Sequence, residues 1–129
     1  DIPHVIETKI ENIGKTKEVK KVLLALGLKD ELERTKKKKI RAGRGKMRGR
    51  KYKTKTGPLI VVSEECPLFK SGNGIQGVDV CIVNYLNAEL LAPGTVPGRL
   101  TLFTENALKV LKEKNLFLNG KMENKKWQN

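Results

Sequence analysis

One histidine, His4, stands in 129 residues. Metal sites and imidazole acid–base catalysis therefore lose the side chain they most often use. The two cysteines, Cys66 and Cys81, lie beside or within apolar runs, with no C-x-x-C pair and no histidine at ligand spacing. They read as buried thiols of a reducing compartment, not as a zinc site or a disulfide framework. No apolar run approaches the ~18–20 residues of a membrane span, and the first residues lack the charged-then-apolar pattern of a secretory signal. No nucleophile is paired with a base. There is no G-x-S-x-G, Ser63 and Ser71 have no nearby histidine, and adjacent carboxylates such as Glu64 and Glu65 rarely converge on one substrate atom. The expectation is no catalytic residue, no metal, no cofactor and no small-molecule substrate.

The most informative absence is local. Between Lys36 and Lys55 there is no Asp or Glu, while 12 Lys/Arg fall in those 20 residues. The other 109 residues hold 15 basic against 14 acidic side chains, so nearly all of the formal +13 charge comes from one stretch. Charge carried for solubility would be spread over the surface; charge concentrated in this way points to a polyanionic partner. Within the stretch, glycines alternate with arginines and lysines. Glycine lets backbone lie close to a phosphate, and a guanidinium can fork onto it with two hydrogen bonds. Tyr52 interrupts the cations and offers a ring either to stack on an unpaired base or to pack on the domain surface. Twelve like charges repel, so an irregular loop that orders against its partner is expected here. The segment lacks the apolar face of a membrane-lying helix, which argues against an acidic lipid surface.

Two further motifs need their context. Gly72-Asn73-Gly74-Ile75-Gln76-Gly77 spells G-x-G-x-x-G, but a dinucleotide site needs a strand before it and a helix after it. Here a helix precedes and a strand follows, so the segment reads as a turn and a nucleotide-binding enzyme domain as a remote alternative. Gly43 to Gly49 lacks the spacing of a phosphate-binding loop. Leu91 to Arg99 holds two Pro-Gly turns that set Arg99 at the start of a strand.

Periodicity supplies the frame. An apolar run over Ile2 to Ile6 predicts a strand. Val19, Val22, Leu23 and Leu26 at i, i+3, i+4, i+7 predict a helix stopped by Gly27. A second helix runs from Lys29 or Asp30 into the lysines, with acidic residues at its start and basic ones at its end. Leu59 to Val62 is a continuous apolar run, mostly β-branched, as expected of a strand buried on both faces. A short helix around Glu65 to Lys70, a strand over Val78 to Val83, a helical turn over Asn87 to Leu91 and a strand over Leu100 to Phe103 follow. Thr104 is placed to cap a closing helix with Ala107, Leu108 and Leu111 on one face. The alternation predicts an α/β fold, a mainly parallel sheet with helices on both faces. One domain is expected over residues 1–115, with the basic loop at about 39–56 and a tail over 116–129 that is polar apart from Leu116 to Leu118, Met122 and Trp127.

The segment Lys39-Ile40-Arg41-Ala42-Gly43-Arg44-Gly45-Lys46-Met47-Arg48-Gly49-Arg50-Lys51-Tyr52 closely resembles the large-subunit ribosomal protein L-four family in its archaeal and eukaryotic form. So do Leu91-Ala92-Pro93-Gly94, Pro97-Gly98-Arg99-Leu100-Thr101 and Thr104-Glu105. The resemblance runs from the first strand to about Lys114 and corresponds to the second half of the family's sequence. Roles of the family's extension toward the peptide exit tunnel are therefore not carried over. The resemblance implies a three-layer sandwich around a four-stranded parallel sheet, and a non-catalytic protein of the cytoplasmic ribosome that binds large-subunit ribosomal RNA beside neighbouring ribosomal proteins. On this reading the RNA-binding residues are Lys39, Arg41, Arg44, Lys46, Arg48, Arg50, Lys51, Tyr52 and Lys53, together with Arg99 from the Pro-Gly segment. A regulatory protein acting on messenger RNA would use the same loop and remains the alternative.

Overall fold

The computed structural model describes residues 4–117. Four strands form the main sheet: β1 (His4–Ile6), β4 (Leu59–Val62), β5 (Asp79–Ile82) and β6 (Thr101–Thr104), in the order β1-β6-β4-β5 and parallel throughout. Parallel pairing requires a crossover between successive strands, and the helices supply it. Before β4 come α1 (Thr16–Ala25) and α2 (Lys29–Lys36); α3 (Pro67–Asn73) joins β4 to β5; α4 (Ala88–Leu91) lies between β5 and β6; α5 (Glu105–Glu113) follows β6. A separate two-stranded ribbon, β2 (Lys39–Ile40) paired antiparallel with β3 (Tyr52–Lys53), is inserted between α2 and β4.

β4 shows why the sheet has a helix layer on each face. All four of its residues are fully buried. Because side chains alternate across a strand, Ile60 and Val62 point to one face, where they join Val80, Ile82 and Leu102 and pack against Val19 and Leu23 of α1, Leu32 of α2 and Leu68 of α3. Leu59 and Val61 point to the other face, with Cys81, Val83 and Leu86, and meet Ala107, Val110 and Leu111 of α5. Each fully buried Val, Leu or Ile contributes about 1.5–3 kcal/mol of transfer free energy. The three-layer α/β sandwich expected from the sequence is the one observed.

Two details differ from the sequence reading. The closing helix turns Val110, not Leu108, toward the core beside Ala107 and Leu111. Leu116, assigned to the polar tail, packs on the same cluster. Met122 and Trp127 lie outside the described residues. Elsewhere the local chemistry works as read. Gly27 takes a positive φ of 81° after α1, and Thr104 accepts a hydrogen bond from the Ala107 N–H as the cap of α5.

At the carboxyl edge of the strands a buried carboxylate ties three elements together. Glu11 accepts hydrogen bonds from the Thr104 hydroxyl at 2.6 Å and from the Ser63 hydroxyl at 3.2 Å, and lies 3.4 Å from the Ser63 N–H. The ends of β4 and β6 are thereby fastened to the turn after β1. At the opposite, amino-terminal edge, the chain enters β4 directly from the basic ribbon, so the ribbon projects from that end of the sheet.

Candidate nucleic-acid interface

The basic stretch is better ordered by its own backbone than charge alone suggests. Lys39 pairs with Lys53 and Ile40 with Tyr52, and the Arg41 N–H donates to the Lys51 carbonyl at 2.9 Å. Beyond them the tip closes on itself. Arg44 to Lys46 form one turn of 3-10 helix. The Met47 N–H donates to the Arg44 carbonyl, and the Arg48 and Arg50 N–H groups donate to the Gly45 carbonyl. Gly43 and Gly49, at φ 75° and 76°, flank this turn in the left-handed region that costs a non-glycine residue roughly 1–2 kcal/mol. The irregular loop expected from self-repulsion is thus corrected to a short ribbon with a hydrogen-bonded tip. The pairing forms although it sets Lys39 opposite Lys53, because the ribbon is held by backbone hydrogen bonds that a reading of side-chain charge alone does not see.

The roots of the ribbon are clamped to the domain. Thr35, fully buried near the end of α2, sits against two glycines. A Cβ on Gly57 would lie 2.6 Å from the Thr35 methyl, and one on Gly77 would lie 2.7 Å from the Thr35 Cβ. The Gly57 N–H donates to the Gly77 carbonyl at 2.7 Å. From the exposed side, the Arg34 guanidinium donates to Glu31 at 2.8 and 2.5 Å and to the Thr56 carbonyl at 2.6 Å. The Arg34 side chain holds the Glu31 carboxyl below the ordinary carboxylate range, chiefly through this hydrogen bond. Nothing in the local sequence pattern marks these residues as positioning the ribbon. Leu32 and Thr35, one helical turn apart in a charged helix, are the only signal that could have exposed the buried face.

Of the predicted contact residues, Lys39, Arg44, Lys46, Arg48, Arg50, Lys51, Tyr52 and Lys53 are all exposed on the ribbon. Tyr52 is 54% exposed and Met47 79%. The Lys51 ammonium lies 5.6 Å from the Tyr52 ring centroid, a cation–π distance. Arg41 is brought to the same place but turned inward. Its Nε donates to the Arg50 carbonyl at 3.2 Å, and a Cβ on Gly45 would meet the Arg41 Cδ at 2.9 Å. Arg41 therefore braces the tip. None of the stretch's 12 cations forms an ion pair with a carboxylate among the described residues.

Arg99 is not part of this surface. Its side chain is 4% exposed, and its guanidinium donates to the Gly57 carbonyl at 2.8 Å, to the Leu90 carbonyl at 2.9 Å and to the Asp79 carboxylate. Each nitrogen of the guanidinium is engaged inside the protein, so the structure places Arg99, named from sequence as an RNA contact, in the scaffold and away from the exposed ribbon. It fastens the amino ends of β4, β5 and β6 together. The Pro-Gly segment places it there through Gly94 and Gly98 at φ 72° and 99°.

The G-x-G-x-x-G segment behaves as the turn that its context predicts. Gly72 and Asn73 end α3, a Cβ on Gly72 would lie 2.4 Å from a Val80 methyl, and the Asn73 side chain accepts from the Val80 N–H at 2.8 Å. Cys66 and Cys81 are free, and burial pushes both thiols above their ordinary pKa. Among the described residues no group of three or more His, Cys, Asp or Glu side chains could hold a metal ion. No helix there is long and apolar enough to cross a membrane.

Comparison with known proteins identifies the family. The model of the Ribosomal protein L4/L1 family matches residues 3–114. A protein named large ribosomal subunit protein uL4 from Methanococcoides burtonii is 52% identical over 109 residues, 84% of this chain and 43% of that protein. Its namesakes from Methanosphaera stadtmanae and Nanoarchaeum equitans are 48% and 49% identical over 85% and 90% of this chain, again covering 43% of each relative. The chain thus spans less than half the length of these curated relatives. With the match running through both the ribbon and the Pro-Gly segment, the chain belongs to the ribosomal protein L4/L1 family.

Proposed function

We propose that this chain is a structural, non-catalytic part of the large ribosomal subunit in the cytoplasm, holding ribosomal RNA through its basic ribbon and lying beside other ribosomal proteins. The observation that carries the reading is the ribbon itself. It carries eight of the twelve cations of the Lys36–Lys55 stretch, none paired with a carboxylate among the described residues, on a backbone clamped at both roots. The names of the similar proteins support the choice of partner. Contacts assigned to the RNA are Lys39, Arg44, Lys46, Arg48, Arg50, Lys51, Tyr52 and Lys53, with Arg41 holding them in place. Residues 1–115 act as one unit from which the ribbon projects.

Cations that neutralise phosphates release counterions, so affinity falls as salt rises. If roughly 6–8 phosphates are neutralised, log affinity against log salt has a slope of about −4 to −7. Filter binding of the full chain to a large-subunit ribosomal RNA transcript over a range of salt concentrations measures it. A slope near zero overturns the proposal.

A further inference from the structure

The turn spelled G-x-G-x-x-G forms one wall of a cleft that the ribbon does not include. The cleft, of about 430 Å³, lies between the start of α1, the end of α2 and this turn, and is lined by Thr16, Lys17, Lys20, Lys36, Gly74 and Gln76 among others. Lys17 and Lys20 are one turn apart on α1 and share a face. Lys36 is the last residue of α2, three positions before the ribbon's first paired residue, so the positive surface is continuous from cleft to ribbon. No carboxylate lines the cleft, and none of the three lysines has an ion-pair partner among the described residues. Gly74 lets the turn close on the helix, since a Cβ there would lie 2.9 Å from the Thr16 methyl. The Gln76 amide nitrogen is buried and has no hydrogen-bond acceptor. It is the one such buried side-chain atom among the described residues, and native proteins leave few of these.

Three free ammonium groups and a hydroxyl line the same space, and the orphaned Gln76 amide nitrogen lies buried in its wall. All of them ask for a group that only accepts hydrogen bonds and carries negative charge. We propose that this cleft is a second phosphate-binding surface, taking the backbone of the RNA held by the ribbon. Rotation of the Gln76 side chain brings its amide to a phosphate oxygen. The inference rests on the function proposed above and enlarges the footprint from the ribbon to the α1–α2 face. An acidic protein segment would suit the lysines, but continuity with the ribbon favours RNA.

The test is filter binding of the full chain carrying Lys17→Gln and Lys20→Gln to a large-subunit ribosomal RNA transcript across a salt series. Losing two phosphate contacts lowers the magnitude of the slope by about 1.4–1.8 and weakens binding on the order of tenfold at 0.1 M salt. Both side chains are exposed, so the melting temperature stays unchanged. Lys9→Gln with Lys109→Gln, a pair outside the cleft, leaves the slope in place. Gln76→Leu weakens binding a few-fold without loss of stability. If the Lys17/Lys20 variant keeps the parent slope while removal of the ribbon arginines lowers it, the cleft is not an RNA surface and the ribbon reading stands. If neither variant changes the slope, both readings fall together.

Discussion

Arg99 shows how one side chain can look like a ligand contact in sequence and act as a brace in the fold. An arginine between Pro-Gly turns in a basic protein invites an RNA reading. Its donors, however, go to Gly57, Leu90 and Asp79, at the point where three strands begin. Arg99→Ala leaves two carbonyls without a donor, while Asp79, about half exposed, keeps its hydration. The expected loss is about 2–3 kcal/mol of folding stability, read as a lower urea midpoint with RNA affinity unchanged below the transition. Intact stability with lost RNA binding would return Arg99 to the interface. Glu31 makes a smaller, pH-dependent contribution at the neighbouring root. Its folded pKa is depressed by Arg34, so its stabilisation is present above the unfolded value near 4.5 and is lost as pH falls through the lower folded value. Because the Arg34 side chain is 42% exposed, less than about 1 kcal/mol is involved. Urea midpoints between pH 3 and 6 should converge for the parent and Glu31→Gln at the acid end and separate above it.

At the scale of elements, the ribbon depends on how tightly α2, β4 and β5 approach one another. Gly77 has φ 82°, and a Cβ there would also come within 3.0 Å of the Lys55 carbonyl. Gly77→Ala combines left-handed strain with overpacking against Thr35, and about 2–5 kcal/mol of stability should be lost. A cheaper substitution, seen as an unchanged thermal midpoint, would mean that the ribbon's root is loosely held. The strands and helices were legible in sequence because each carries its own period. Leu59 to Val62 is an unbroken apolar run, β-branched from Ile60 on, and the spacing from Val19 to Leu26 is helical. What was not legible depends on distant pairs: Thr35 against Gly57 and Gly77, Arg99 against Asp79, and Glu11 against Thr104, 93 residues away. The sequence implies only an irregular loop at the ribbon, because the pairing there consists of backbone hydrogen bonds between Lys39–Ile40 and Tyr52–Lys53, and lysine-rich strands this short carry no alternation of apolar residues. The cations themselves needed no fold to be found.

For the whole molecule, the division of labour is between a nearly neutral body and a charged projection. Apart from Val78 and Leu86 in adjoining connections, the buried aliphatic residues of both clusters lie in the sheet and the helices, whereas the ribbon's lysines and its arginines other than Arg41 are exposed. The two should therefore be separable by mutation. Arg44, Arg48 and Arg50 make no side-chain hydrogen bond or ion pair recorded among the described residues, so their replacement by alanine removes charge without opening a cavity. Their backbone bonds, from the N–H groups of Arg48 and Arg50 to the Gly45 carbonyl, survive the change. Three lost phosphate contacts should weaken RNA binding on the order of 10²-fold at 0.1 M salt and lower the magnitude of the salt slope by about 2–3. The melting temperature should stay within a degree or two, or rise slightly as like-charge repulsion is relieved. Filter binding and thermal unfolding of the same triple variant decide the matter. A collapse in stability would make the ribbon part of the scaffold, and unchanged binding would leave its charge without the partner assigned to it.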